Sequence, residues 1–145
     1  MNQNAYRRNF ILRLAAAAVS LAASLHAVPA LAQSLGAVPP TILVVGDSLS
    51  AEYGLARGAG WVALLEQRLI KEQQTAAVVN ASVSGETTSG GRSRLPGLLA
   101  QHKPDVVVIE LGGNDALRGL PLKNTQDNLS FMAKAAQKAG AKVLL

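Results

Sequence analysis

Three short stretches of this 145-residue chain carry groups that could do chemistry together. They are Gly46-Asp47-Ser48-Leu49-Ser50, then Asn80-Ala81-Ser82-Val83-Ser84-Gly85-Glu86-Thr87, then Glu110-Leu111-Gly112-Gly113-Asn114-Asp115. For acyl transfer they form a sensible set. Ser48, expected at a strand-to-helix turn, offers a hydroxyl as nucleophile. A tetrahedral intermediate needs donors aimed at its developing negative oxygen, and the Ser48 N–H, the Gly85 N–H and the Asn114 side-chain amide could supply three. Gly85 has no Cβ to hinder a carbonyl approaching its backbone. Each piece alone has a plainer reading. A serine at a strand end is ordinarily a helix cap or turn residue, and an asparagine after two glycines is ordinarily a turn. Their order along the chain carries the chemical reading.

The elements that must position them alternate strand and helix. Thr41 to Val45 is a short continuous apolar run stopping at Gly46, the pattern of a strand buried on both faces. Trp61, Leu64, Leu65 and Leu69 repeat at helical spacing, predicting a helix over about residues 60–73. Ala76 to Asn80 reads as a second strand. Gly90-Gly91 opens a segment with Leu95, Leu98 and Leu99, predicted as a helix with Pro96 in its first turn. Asp105 to Leu111 is a β-branched third strand. Leu129, Met132, Ala133 and Ala136 predict another helix closed by Gly140, before a fourth strand begins at Lys142. Strands separated by helices imply βαβ crossovers and an α/β fold, three layers around a parallel sheet. Ligands bind such sheets beyond the carboxyl ends of the strands, where all three stretches fall. The four-residue terminal strand would leave a bare edge, so the reading takes the domain over 41–145 as incomplete at its C-terminus.

The first 32 residues read as an export signal. Arg7, Arg8 and Arg13 precede an apolar run from Leu14 to Leu25, and Ala30-Leu31-Ala32 supplies small residues for cleavage near Ala32. The run is too short for a membrane anchor, which needs about 20 apolar residues. Residues 33–40 are a lead-in. Removing the signal takes three arginines from 14 basic residues and none from 9 acidic ones, leaving a balance of +2. That excludes a broad nucleic-acid surface. With no cysteine, disulfides, thiolate catalysis and Cys-based zinc sites are excluded.

Taken together, the three stretches make residues 41–145 resemble the SGNH or GDSL hydrolase superfamily, most nearly its periplasmic thioesterase, lysophospholipase and arylesterase type. The resemblance implies a flavodoxin-like sheet, Ser48 as nucleophile, and Ser48, Gly85 and Asn114 as the oxyanion hole. It further implies a monomeric serine esterase, periplasmic or secreted, acting on small acyl esters, thioesters or lysophospholipids without metal or organic cofactor. One departure stands out. The family's last motif, Asp-x-x-His, supplies the general base and its orienting acid, and no histidine follows Asn114. His26 lies in the signal segment. His102 precedes the third strand, whose seven residues span about 20 Å, whereas a base must come within about 3 Å of the serine. It is therefore read as a solvent-facing residue ending a helix. Asp47 and Asp115 are read as loop-fixing hydrogen-bond acceptors, and Glu110 as a structural partner. The expected base lies on sequence after Leu145, and segments walling an acyl pocket are expected within Arg118 to Thr125.

Two other functions compete. Gly85 to Arg92 has the glycine interval of a phosphate loop, but its Gly91-Arg92-Ser93 is displaced by one residue from the required Gly-Lys-Ser/Thr. A non-catalytic lipid- or carbohydrate-binding α/β module is the other, although a 3% aromatic content is poor for sugar stacking.

Overall fold

The computed structural model describes residues 38–145. The signal segment, His26 and most of the lead-in lie outside the described residues.

The apolar runs form the expected strands: β1 (Thr41–Gly46), β2 (Ala77–Asn80), β3 (Val106–Glu110) and β4 (Lys142–Leu144). Four helices join them: α1 (Trp61–Lys71), α2 (Thr88–His102), α3 (Gly113–Leu117) and α4 (Leu122–Lys138). All strand pairs are parallel, in the order β2-β1-β3-β4. The chain leaves β1 for one side, then crosses back to place β3 on the other. The sheet therefore reverses direction at β1, and a crevice opens there beyond the carboxyl ends.

Side chains alternate across β1. Leu43 and Val45, fully buried, join Val107 and Ile109 of β3, Leu95 and Leu99 of α2, and Met132 and Ala136 of α4 in one apolar core. Val44, also fully buried, faces the opposite side, where α1 contributes Val62. The continuous apolar run of β1 is thus explained by burial on both faces. Gly91 lets α2 approach closely: a Cβ there would collide with Leu111 Cδ1 and lie 3.3 Å from Met132 Sδ.

Gly140 closes α4 as expected. It takes φ +92°, the Ala141 N–H donates to the Ala136 carbonyl at 3.0 Å, and the Gly140 N–H donates to the Gln137 carbonyl at 3.0 Å. This paired bonding satisfies carbonyls that a helix end leaves open.

Three expectations need correction. Pro96 sits deep inside α2, because Thr87 caps that helix and starts it at Thr88 rather than Gly90. The proline ring replaces an N–H that would have bonded the Arg92 carbonyl. Gly112 to Asn114 is more than a turn: Gly112, at φ +121°, starts the five-residue α3. Ser48 does not lead directly into a helix. Residues 48–54 form successive turns, and Glu52 at φ +59° keeps them from propagating before α1.

Candidate active site

The ladder beyond each strand's formal end aligns the three stretches. Gly46 pairs with Glu110 in register. Past β2, the Ala81 N–H donates to the Val44 carbonyl at 2.8 Å and the Val83 N–H to the Gly46 carbonyl at 3.0 Å. Residues 81–83 therefore travel beside β1 toward its tip, carrying Gly85 with them.

Asp47 organises the tip of β1. It is 3% exposed; its Oδ1 accepts from the Leu49 N–H at 3.0 Å and its Oδ2 from Asn114 Nδ2 at 2.9 Å. The same Asn114 amide donates to the Glu86 carbonyl at 3.0 Å. One side-chain nitrogen thus touches the residue preceding Ser48 and the residue following Gly85. Ser48 is half-buried, and its carbonyl accepts from the Tyr53 N–H at 3.1 Å. Gly85 takes φ +78°, a left-handed conformation costly for other residues, and its carbonyl accepts from Arg118 Nη2 at 2.8 Å.

A buried polar network holds Asn114 in place. Its neighbour Asp115, 2% exposed, accepts from the Thr88 N–H at 2.8 Å, from Thr88 Oγ1 at 2.5 Å and from Thr125 Oγ1 at 3.4 Å. Thr88 Oγ1 in turn accepts from Asn128 Nδ2 at 3.0 Å. α2, α3 and α4 are thereby tied together around one carboxylate. Asp47 and Asp115 are the loop-fixing acceptors expected of them. Glu110 is a structural partner, accepting from the buried Ser50 hydroxyl at 2.8 Å.

Below the Ser48 turn, Glu52 folds the connection to α1 back on itself. Its carboxylate accepts from the Gly58 N–H at 3.1 Å and the Gly60 N–H at 2.9 Å. The Gly58 bond first, then Gly60, with help from Arg57, hold its pKa below the ordinary carboxylate value against an opposing desolvation.

His102 ends α2 and leads into β3 from its amino side, so it lies at the rim away from Ser48. It is half-buried rather than solvent-facing. Of the two glycines whose interval suggested a phosphate loop, Gly85 lies before α2 and Gly90 lies inside its first turn, where backbone N–H groups serve the helix; the neighbouring Gly91 N–H donates to the Thr87 carbonyl at 3.0 Å. Among the described residues, no group of His, Asp and Glu side chains could hold a metal ion.

Sequence reasoning missed two contributors. Glu86 accepts from Arg94 Nε at 2.6 Å, and Arg94 Nη1 donates to the Ala81 carbonyl at 2.9 Å, bracing the loop that presents Gly85. Arg118 clamps Gly85 itself. Opposite charges eight residues apart carry no periodic signal, and an arginine in the short loop between α3 and α4 announces no partner.

Comparison with known proteins bears directly on this arrangement. Residues 44–145 match the model of the GDSL-like Lipase/Acylhydrolase family. The chain belongs to that family. All three stretches fall within the matched span. Over 109 residues the chain is 58% identical to the esterase TesA of Pseudomonas aeruginosa, covering 75% of this chain and 54% of that protein. It is 46% identical over 109 residues to thioesterase 1/protease 1/lysophospholipase L1 of Escherichia coli K12, covering 75% and 51%. A crystal structure of TesA superposes with TM-score 0.72 at 59% identity, covering 72% of this chain and 58% of that one. The psychrotrophic esterase EstA from Pseudoalteromonas sp., inhibited by monoethylphosphonate, gives TM-score 0.70 at 50% identity, covering 72% and 57%. The chain spans about half the length of the curated relatives it matches. Its parallel sheet is the family's α/β fold, and no helix among the described residues is long and apolar enough to cross a membrane.

Proposed function

We propose that this chain is the part of an exported serine ester hydrolase that bears its nucleophile and oxyanion donors, acting on carboxylic esters or thioesters. Ser48 Oγ attacks the acyl carbon as its proton passes to a general base. The carbonyl oxygen becomes an oxyanion facing the Ser48 N–H, the Gly85 N–H and the Asn114 amide. Collapse expels the alcohol or thiol, which takes the proton, and leaves an acyl-serine. Water, deprotonated by the same base, then releases the acid and restores the hydroxyl.

The observation carrying this reading is the Asn114 amide, within hydrogen-bond distance of both Asp47 and Glu86. An incoming oxyanion competes with the Glu86 carbonyl for one of its hydrogens. Relatives named as an esterase and as a thioesterase and lysophospholipase support the ester and thioester classes, with lysophospholipids among them. Export, with cleavage near Ala32, rests on the signal-like N-terminus.

The base is assigned to a histidine of an Asp-x-x-His motif on sequence following Leu145. Asp47 and Asp115 are already committed as acceptors, and His102 stands at the other rim. Reading the gene through this locus tests that assignment: an open frame with no such motif would contradict it. The nucleophile is tested by hydrolysis of a p-nitrophenyl ester by the intact gene product. Ser48→Ala is expected to lower kcat by at least about 10³-fold, since losing one member of a catalytic triad removes several orders of magnitude. Retained turnover would overturn the mechanism.

A further inference from the structure

The serine two residues after the nucleophile is buried, 1% exposed, and takes no part in the mechanism above. Its hydroxyl nevertheless both accepts and donates. Ser50 Oγ accepts from the indole Nε1 of Trp61 at 3.0 Å and donates to Glu110 Oε2 at 2.8 Å. Its carbonyl accepts from Asn80 Nδ2 at 2.7 Å. Ser50 is therefore pinned at once to the first residue of α1, the last of β2 and the last of β3.

Gly46 fits the same device. A Cβ there would lie 2.6 Å from Ser50 Oγ and 3.0 Å from Glu110 Oε2, well inside normal contact. Its φ is not left-handed, so steric room rather than backbone freedom calls for glycine at this position. The hydroxyl–carboxylate pair occupies that room.

On the far side of the nucleophile, Asp47 is anchored to the Leu49 N–H and to Asn114. Ser48 thus sits between two residues tied by side-chain bonds to other elements, Asp47 to α3 and Ser50 to α1, β2 and β3. The burial of a hydroxyl and of part of a carboxylate beside Gly46 is compensated only while every bond in the chain is made.

We infer that Trp61, Ser50 and Glu110 form a positioning relay that sets the backbone of the Ser48 turn. Trp61 donates to Ser50, Ser50 donates to Glu110, and β3 thereby fixes the register of the nucleophile against the oxyanion donors that follow it. None of the three touches the reacting atoms; they act through the turn. This inference rests on Ser48 being the nucleophile.

The experiment uses the intact gene product labelled with 15N-tryptophan, its indole resonances assigned by Trp61→Phe, and steady-state ester hydrolysis. Ser50→Ala is expected to shift the Trp61 indole N–H signal and speed its exchange. It should also lower kcat by about 10-fold or more with KM changed less than about threefold, because a small misplacement of a reacting group costs rate rather than binding. Glu110→Ala is expected to reduce kcat similarly. Glu110→Gln keeps an acceptor oxygen for Ser50 and should recover most of that loss, which a purely structural carboxylate requirement would not allow. Far-ultraviolet circular dichroism confirms that each variant is folded. Folded Ser50→Ala with wild-type kcat, or Glu110→Gln as impaired as Glu110→Ala, would overturn the relay. Ser48→Ala with full activity would instead overturn the nucleophile assignment, while an unmoved indole signal in Ser50→Ala would contradict the bonding itself.

Discussion

Asn114 links two loops through one amide and is assigned to receive the negative charge of the reaction, and the two roles can be separated kinetically. A donor aimed at charge that exists only in the transition state contributes to kcat, not to substrate binding. Asn114→Ala is therefore expected to lower kcat by about 10²–10³-fold, the usual effect of losing one such donor, with little change in KM. Steady-state kinetics on an ester substrate decides it. A large rise in KM at constant kcat would show that the amide shapes the binding crevice instead. The candidate donors were legible only as a set, because a serine, a glycine and an asparagine fall in order beyond three successive strands, while each alone reads as a turn residue. The Glu86–Arg94 brace and the Arg118 clamp on Gly85 were not, since side-chain partners far apart in sequence leave no local signature.

At the scale of elements, α2 and the turns after β1 each carry an unusual feature with a measurable consequence. Pro96 is exposed in the interior of α2, where it removes a backbone hydrogen bond. Interior proline costs about 3 kcal/mol relative to alanine, and its stiffening of the unfolded chain returns about 0.4–1 kcal/mol. Pro96→Ala should stabilise the fold by about 2 kcal/mol, measured by urea titration. The Glu52 turn responds to pH. Because its folded pKa is lowered, its contribution is present at neutral pH and disappears as pH falls through that lowered value. Protection of the Gly58 and Gly60 amides against hydrogen exchange, corrected for intrinsic rate, should therefore drop on acidification below the ordinary carboxylate range. Glu52→Gln should weaken that protection at neutral pH and remove its pH dependence. The helix periods predicted α1 closely and the C-terminal part of α4, but not the seven residues from Leu122 with which α4 begins before its stripe at Leu129. α3 was invisible because five residues complete too few turns to show a period, and the start of α2 was misplaced because Thr87 outcompetes the glycines as a cap.

For the whole molecule, one apolar layer under α2 and α4 supports the strand tips that carry the candidate site. Met132 is fully buried there, beside the space that Gly91 leaves for close helix packing. Met132→Ala is expected to cost about 2–5 kcal/mol, a large share of the 5–15 kcal/mol typical of a folded domain. The loss should appear as a lower urea midpoint. If the core holds the tips in register, activity should fall as the folded fraction falls and not before.

Patterns that repeat along the chain were determined by the sequence alone: apolar runs long enough for buried strands, helical stripes between them, and glycine, serine and asparagine collected where each strand ends. These are consequences of local geometry, because periods of two and 3.6 residues decide which side chains share a face. Sheet order and register, the double use of the Asn114 amide, and the filling of the space beside Gly46 by Ser50 and Glu110 were decided only in three dimensions. Each depends on bonds between residues 28 to 67 positions apart, whose pairing no local pattern encodes.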